Sequence, residues 1–194
     1  ECVVIATDAA EIAEAARAFG ARAILTRTDH QSGTERIAEA AQMIDAETII
    51  NIQGDEPEID PAHIDALIDA HLIAGRFVTT LACPFPAEID PENPSAVKAI
   101  LSAEIDRENN LFEAKDFTRT PPVGIKRNCL FLHVGAYAYS RRSLMRIVAE
   151  PPPAKLSFKS SPVRVAVMSE SVTPAPISSV SLPPLPASDF SIST

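Results

Sequence analysis

Strand-like stretches at 2–7, 21–25, 48–52 and 77–82, the third strongly β-branched, alternate with segments whose apolar residues recur every three or four positions. Ile12, Ala15, Ala16 and Phe19 make the first helical face, closed by Gly20. Ile37, Ala40, Ala41 and Ile44 make the second, with Thr34 placed to cap it. Ile64, Leu67, Ile68 and Leu72 make the third, opened by Pro61. A chain patterned this way has few packings open to it. Its strands are apolar on both sides and its helices on one. The expected fold is therefore α/β, a mostly parallel, Rossmann-like sheet covered by helices on both faces. From residue 84 to 120 the pattern loosens, with a strand expected at 97–101. A strand at 130–139 and a short helix at 142–149 follow.

The 194 residues suffice for one domain with a real core. With 46% hydrophobic and 22% charged residues, the chain is globular in character, not disordered. A net charge of −9 argues against a nucleic-acid-coating protein but leaves room for a local basic pocket that holds an anionic metabolite. No apolar run nears the roughly 20 residues that cross a bilayer, and no signal-peptide pattern opens the chain. Cys2, Cys83 and Cys129 are too far apart for a CxxC metal site and odd in number for a disulfide framework. The expected location is the cytoplasm.

Composition changes near Pro151. Residues 151–194 hold 9 of the 17 prolines and 11 serines, but only two acidic and three basic residues. We therefore divide the chain into a domain at 1–153 and a Pro/Ser-rich tail at 154–194, with one possible strand at 163–168. Because residue 1 is Glu and residues 3–6 already read as strand, an N-terminal segment is expected to precede this sequence.

In open α/β sheets, ligands bind beyond the carboxyl ends of the strands. Two polar segments lie there. In Asp29-His30-Gln31-Ser32-Gly33-Thr34-Glu35-Arg36 a small loop runs into a helix N-terminus, whose free N–H groups suit anionic or polar ligand atoms. Such a loop serves equally well as an ordinary capped helix start. In Gln53-Gly54-Asp55-Glu56-Pro57 a carboxylate follows a strand directly, where it could hold Mg²⁺ or simply mark an exposed turn. His133, Gly135 and Tyr137 share one face of the 130–139 strand, so two hydrogen-bonding side chains point the same way. Neither GxGxxG nor GxxxxGK[ST] occurs, which lowers dinucleotide dehydrogenases and P-loop enzymes among the candidates.

Together these segments resemble the 3-deoxy-manno-octulosonate cytidylyltransferase (CMP-Kdo synthetase) family. The likeness is carried by VIATD at 4–8, DHQSGTER at 29–36, NIQGDEP at 51–57, NPSAVK at 93–98, FTRTP at 117–121 and HVGAYAY at 133–139. It runs in continuous order over roughly residues 1–153. The resemblance implies a nucleotide-diphospho-sugar transferase type of fold and nucleotidyl transfer from CTP to Kdo, giving CMP-Kdo and pyrophosphate for lipopolysaccharide synthesis. It implies Mg²⁺ as cofactor and Asp55 as its ligand, with Asp55 and Arg119 as catalytic residues. Kdo contacts would come from Gln53, Arg119, His133 and Tyr137, and nucleotide contacts from Ser32, Gly33, Thr34 and Arg36. CTP and Kdo are the implied partners, with a homodimer and without nucleic acid or membrane insertion. A cytidylyltransferase for another sugar acid, or a nucleotide-binding remnant without turnover, are the alternatives. The family's basic RxxSxRLPGKPL loop and its GVDTPEDL segment, which carries a second magnesium carboxylate, have no counterpart in these 194 residues, so the resemblance implies an incomplete site.

Overall fold

A computed structural model describes residues 2–74, 77–106, 108–149 and 163–168. The described elements are β1 (Val4–Thr7), α1 (Ala10–Ala18), β2 (Arg22–Leu25), α2 (Gly33–Gln42), β3 (Thr48–Ile52), α3 (Pro61–Ala74) and β4 (Val78–Pro84). They continue with β5 (Lys98–Asp106), β6 (Leu111–Thr118), a 3₁₀ turn (Arg127–Cys129), β7 (Phe131–Ser140), α4 (Arg141–Ala149) and β8 (Val163–Val167). None of these helices is long and apolar enough to cross a membrane.

The chain is α/β, but the expected mostly parallel sheet is corrected. β1 and β2 form a parallel pair, whereas the other six strands make one mixed sheet in the order β3-β7-β4-β8-β6-β5. β7 runs antiparallel to β3, β4 and β5, and β6 runs antiparallel to β5 and β8; only β4 and β8 pair in parallel. β7 follows an irregular stretch and the 3₁₀ turn, not a crossover helix, so nothing obliges it to enter in the direction of its neighbours. Because β5 also pairs with the start of β7, the sheet curls back on itself.

β7 also divides the core. Val134, Ala136 and Ala138 pack with Leu67 and Ala70 of α3 on one side. Tyr137 and Tyr139 pack with Ala38 and Ala41 of α2 and Leu144 of α4 on the other. Two helical faces differ from expectation. α1 buries Ala13 and Ala16 and leaves Ile12 and Phe19 exposed, while α3 buries Leu67, Ala70 and His71 and leaves Leu72 exposed. His71 is tolerated because its Nδ1 lies 3.0 Å from the Thr79 hydroxyl.

The strand expected at 163–168 exists and lies within the sheet, between β4 and β6. Val165 is fully buried there, and Arg164 pairs across the ladder with Glu113 at 3.2 Å. The rest of the Pro/Ser-rich tail, including Asp189, is outside the described residues.

Candidate active site

The turn after β3 and the middle of β7 form one unit. β7 bulges opposite β4: Thr80 pairs with Tyr137, but the next residue, Leu81, pairs with Val134. The bulge leaves the Gly135 N–H and C=O out of the β4 ladder, and the Gln53–Pro57 turn takes both groups. The Gln53 N–H donates to the Gly135 carbonyl at 3.0 Å, and the Gly135 N–H donates to Glu56 Oε1 at 2.8 Å. Burial raises the Glu56 carboxyl above the usual carboxylate range, a shift that the Gly135 N–H opposes and the Asp55 charge adds to.

His133 is held by Thr80. The Thr80 hydroxyl donates its proton to the Ala136 carbonyl at 2.8 Å, so His133 Nε2, 3.0 Å from the same oxygen, is the donor there. Nδ1 is then left as an acceptor. Burial lowers the imidazole pKa to about 4, so His133 is neutral at physiological pH. Tyr137 is pushed up to about 12, first by burial and then by the Asp55 and Glu56 charges. Both groups are therefore neutral hydrogen-bonding partners, not acid–base catalysts at pH 7.

These side chains belong to an aromatic row. The Phe117 ring meets His133 edge-on at 5.1 Å, His133 lies 5.3 Å from Tyr137, and Tyr137 stacks on Tyr139 at 6.1 Å. The row ends near α2, where Thr34 opposes the upward push that burial gives the Tyr139 pKa. Tyr139 is the residue sequence reasoning missed, although its place on the 133/135/137 face of β7 was the signal that could have found it. At the opposite end, Arg119 lies two residues beyond Phe117, with its guanidinium donating to the Pro94 carbonyl at 2.8 Å. Its own carbonyl accepts from Lys98 Nζ at 2.8 Å, and the same ammonium donates to the Asn93 carbonyl at 2.7 Å.

In the 29–36 segment the cap is Ser32, not Thr34. The helix begins at Gly33, the Ser32 hydroxyl accepts from the Glu35 N–H at 3.3 Å, and Glu35 reaches back to the Gln31 N–H at 2.7 Å. Thr34, two residues further on, acts instead on the Tyr139 hydroxyl. Arg36 stitches the loop to β1 and β2 through Asp8 at 2.9 Å and the Thr26 hydroxyl at 2.7 Å, and it holds the Asp8 carboxyl below its usual range. His30 is bonded to Glu39 on the outer side of α2.

Gln53, His133 and Tyr137 thus meet on one surface, with Asp55 close enough to act on the Tyr137 hydroxyl. Thr34 is tied to the same surface, and Arg119 stands at its far end. Among the described residues no three His, Cys, Asp or Glu side chains are grouped to hold a metal ion. Asp55 nevertheless suits Mg²⁺, which needs only one or two carboxylates when water and substrate phosphates complete its shell.

A family model described as Cytidylyltransferase matches residues 1–161. The chain belongs to the cytidylyltransferase family. A relative from Chelativorans sp. (strain BNC1), named 3-deoxy-manno-octulosonate cytidylyltransferase, is 44% identical over 156 residues, covering 77% of this chain and 61% of its own length. One of the same name from Rhodopseudomonas palustris (strain BisB5) is 42% identical over 155 residues, with the same coverage. The chain thus spans about three-fifths of the length of the curated relatives it matches. Among solved structures, CMP:2-keto-3-deoxy-manno-octonic acid synthetase complexed with CTP superposes with a TM-score of 0.74 at 30% identity, over 88% of this chain and 73% of that one. A UDP-glucose pyrophosphorylase from Acinetobacter baumannii, at 12% identity and a TM-score of 0.54, shares the fold alone. This is the nucleotide-diphospho-sugar type of architecture, and in the family member described here it contains the mixed sheet.

Proposed function

We propose that the chain carries the site for cytidylyl transfer from CTP to Kdo. The observation that carries this reading is the meeting of Gln53, His133 and Tyr137 beside Asp55, in a family member similar to a synthetase solved with CTP. Kdo is a polyhydroxylated sugar acid, and the surface offers what such a molecule needs. Neutral His133 accepts from a hydroxyl through Nδ1, Tyr137 and Gln53 offer further hydrogen bonds, and Arg119 turns from Pro94 to pair with the carboxylate. Ser32, Gly33, Thr34 and Arg36 form the nucleotide side, joined to the sugar side by Tyr139. Asp55 would hold Mg²⁺, and the ion would offset charge on the phosphates.

In the reaction, the anomeric hydroxyl of Kdo forms a bond to the α-phosphorus of CTP and gives up its proton. The bond from that phosphorus to the bridging oxygen breaks, and pyrophosphate leaves. The chain's part is to hold the two reactants in line. The product serves lipopolysaccharide assembly, and the reading places the protein in the cytoplasm, as a homodimer.

The test is pyrophosphate release from CTP, Kdo and Mg²⁺ by the purified chain, with Asp55→Ala as control. Release that falls at least about a hundredfold in the variant supports the reading, since it removes an ion-holding carboxylate from the reacting phosphates. A folded chain that binds CTP but neither binds Kdo nor releases pyrophosphate overturns it in favour of a nucleotide-binding remnant.

A further inference from the structure

The Gln53–Pro57 turn and the β7 bulge come from distant parts of the chain, and two hydrogen bonds to the backbone of one residue, Gly135, join them. Gln53 donates its N–H to the Gly135 carbonyl, and Glu56 Oε1 accepts the Gly135 N–H. The space above Gly135 is filled by the same turn. A Cβ at position 135 would lie 2.7 Å from Gln53 Oε1, 3.2 Å from Glu56 Oε1 and 3.3 Å from Glu56 Cγ. The first distance is shorter than any tolerable contact. All three atoms belong to side chains, and the nearest is the end of Gln53, so an added methyl would push Gln53 and Glu56 aside before it moved the backbone.

We propose that Glu56 is a positioning residue of this site: its carboxylate clamps the Gln53–Pro57 turn onto the β7 bulge through the Gly135 N–H, and a bare Gly135 lets the Gln53 side chain lie across the strand. The proposal rests on the reading of this surface as the Kdo site and adds to it the device that fixes its shape. Glu56 acts as a hydrogen-bond acceptor, and its neighbour Asp55 supplies the free carboxylate. The clamp sets the distance between the Gln53–Asp55 pair, carried by one turn, and the His133–Tyr137 pair, carried by the strand. A site assembled from two segments needs such a tie, because a misplacement of about an ångström is enough to cost binding and rate.

Three variants of the full chain test this: Glu56→Gln, which keeps an acceptor oxygen, Glu56→Ala, which removes it, and Gly135→Ala. Amide hydrogen exchange at Gly135 and the side-chain NH₂ signals of Gln53 would be followed by NMR, and Kdo affinity by titration. Glu56→Gln should keep the Gly135 amide protected and Kdo affinity within about threefold, whereas Glu56→Ala should lose the protection and weaken Kdo at least about tenfold. Gly135→Ala should keep the thermal transition but shift the Gln53 signals and weaken Kdo by a similar factor. Unchanged protection and Gln53 signals in Glu56→Ala overturn the clamp. Equal impairment of Glu56→Gln and Glu56→Ala overturns the acceptor role in favour of a required negative charge. If the wild-type chain fails to bind Kdo, the functional reading falls, and the Gly135 and Gln53 signals still decide the clamp.

Discussion

His133 couples the site to pH through its burial. Its pKa is about 4 in the folded chain and near 6.5 in an unfolded one, so between those values the unfolded state binds more protons. Stability from this group is therefore complete above about pH 6.5 and is lost as pH falls through 4. From pH 7 to pH 5 the loss amounts to about 2 kcal/mol. His71, also lowered by burial, acts with the same sign. Urea unfolding at the two pH values checks this, and His133→Gln should flatten most of the difference. Lys98 makes a second prediction. Its side chain is fully buried, and its ammonium satisfies the carbonyls of Asn93 and Arg119. Lys98→Met takes this donor from the Arg119 carbonyl, while the Asn93 carbonyl keeps the Ala96 N–H at 3.2 Å, and should cost about 1 kcal/mol in denaturant titrations. Neither the depth of Lys98 nor the tie from Tyr139 to Thr34 could be read from a linear sequence, since each depends on which strands meet. That His133 and Tyr137 share a strand face was legible from local alternation, whereas the roles of Gln53 and Arg119 came only from the family resemblance.

At the scale of elements, α2 depends on a capping box that local sequence does contain, although its first residue is Ser32 and the helix starts one position before Thr34. Ser32→Ala should cost about 1 kcal/mol by thermal or urea unfolding, while Thr34→Ala should leave the cap intact and act on the Tyr139 contact instead. β6 was the element hardest to foresee. Its partner β5 slips register between Ile100 and Leu101, between Leu101 and Ala103, and between Glu104 and Asp106, so neither strand keeps a clean two-residue alternation. The faces of α1 and α3 misled for another reason. Helical spacing finds Ala16 and Leu67 but also picks Ile12, Phe19 and Leu72, whereas the faces that pack add the small Ala13 and Ala70, which let the helices lie close.

For the whole molecule, alternation of strands and helices correctly implied an α/β architecture and hid the direction of two strands. Reading each strand as the neighbour of the next fails where β7 enters between β3 and β4 from an irregular segment. β8 is the other non-local choice, a strand from beyond residue 160 paired with both β4 and β6. A chain ending at residue 161 would leave those two strands with a slot between them and Leu111 and Leu81 uncovered. The full chain should unfold in one cooperative transition by circular dichroism or calorimetry, and the shortened chain should not.

The same slot orders events during synthesis. β4 is complete some eighty residues before β8 emerges, so its edge is exposed while the ribosome makes the intervening chain. The growing polypeptide can form α1 to α3 and the β1–β2 pair early, but β3 and β4 wait for β7 to enter between them, and the sheet closes only when Val163–Val167 slides in. Pairings of such long separation close slowly, which makes this last step the bottleneck of folding and the interval before it the time at which a chaperone would matter most.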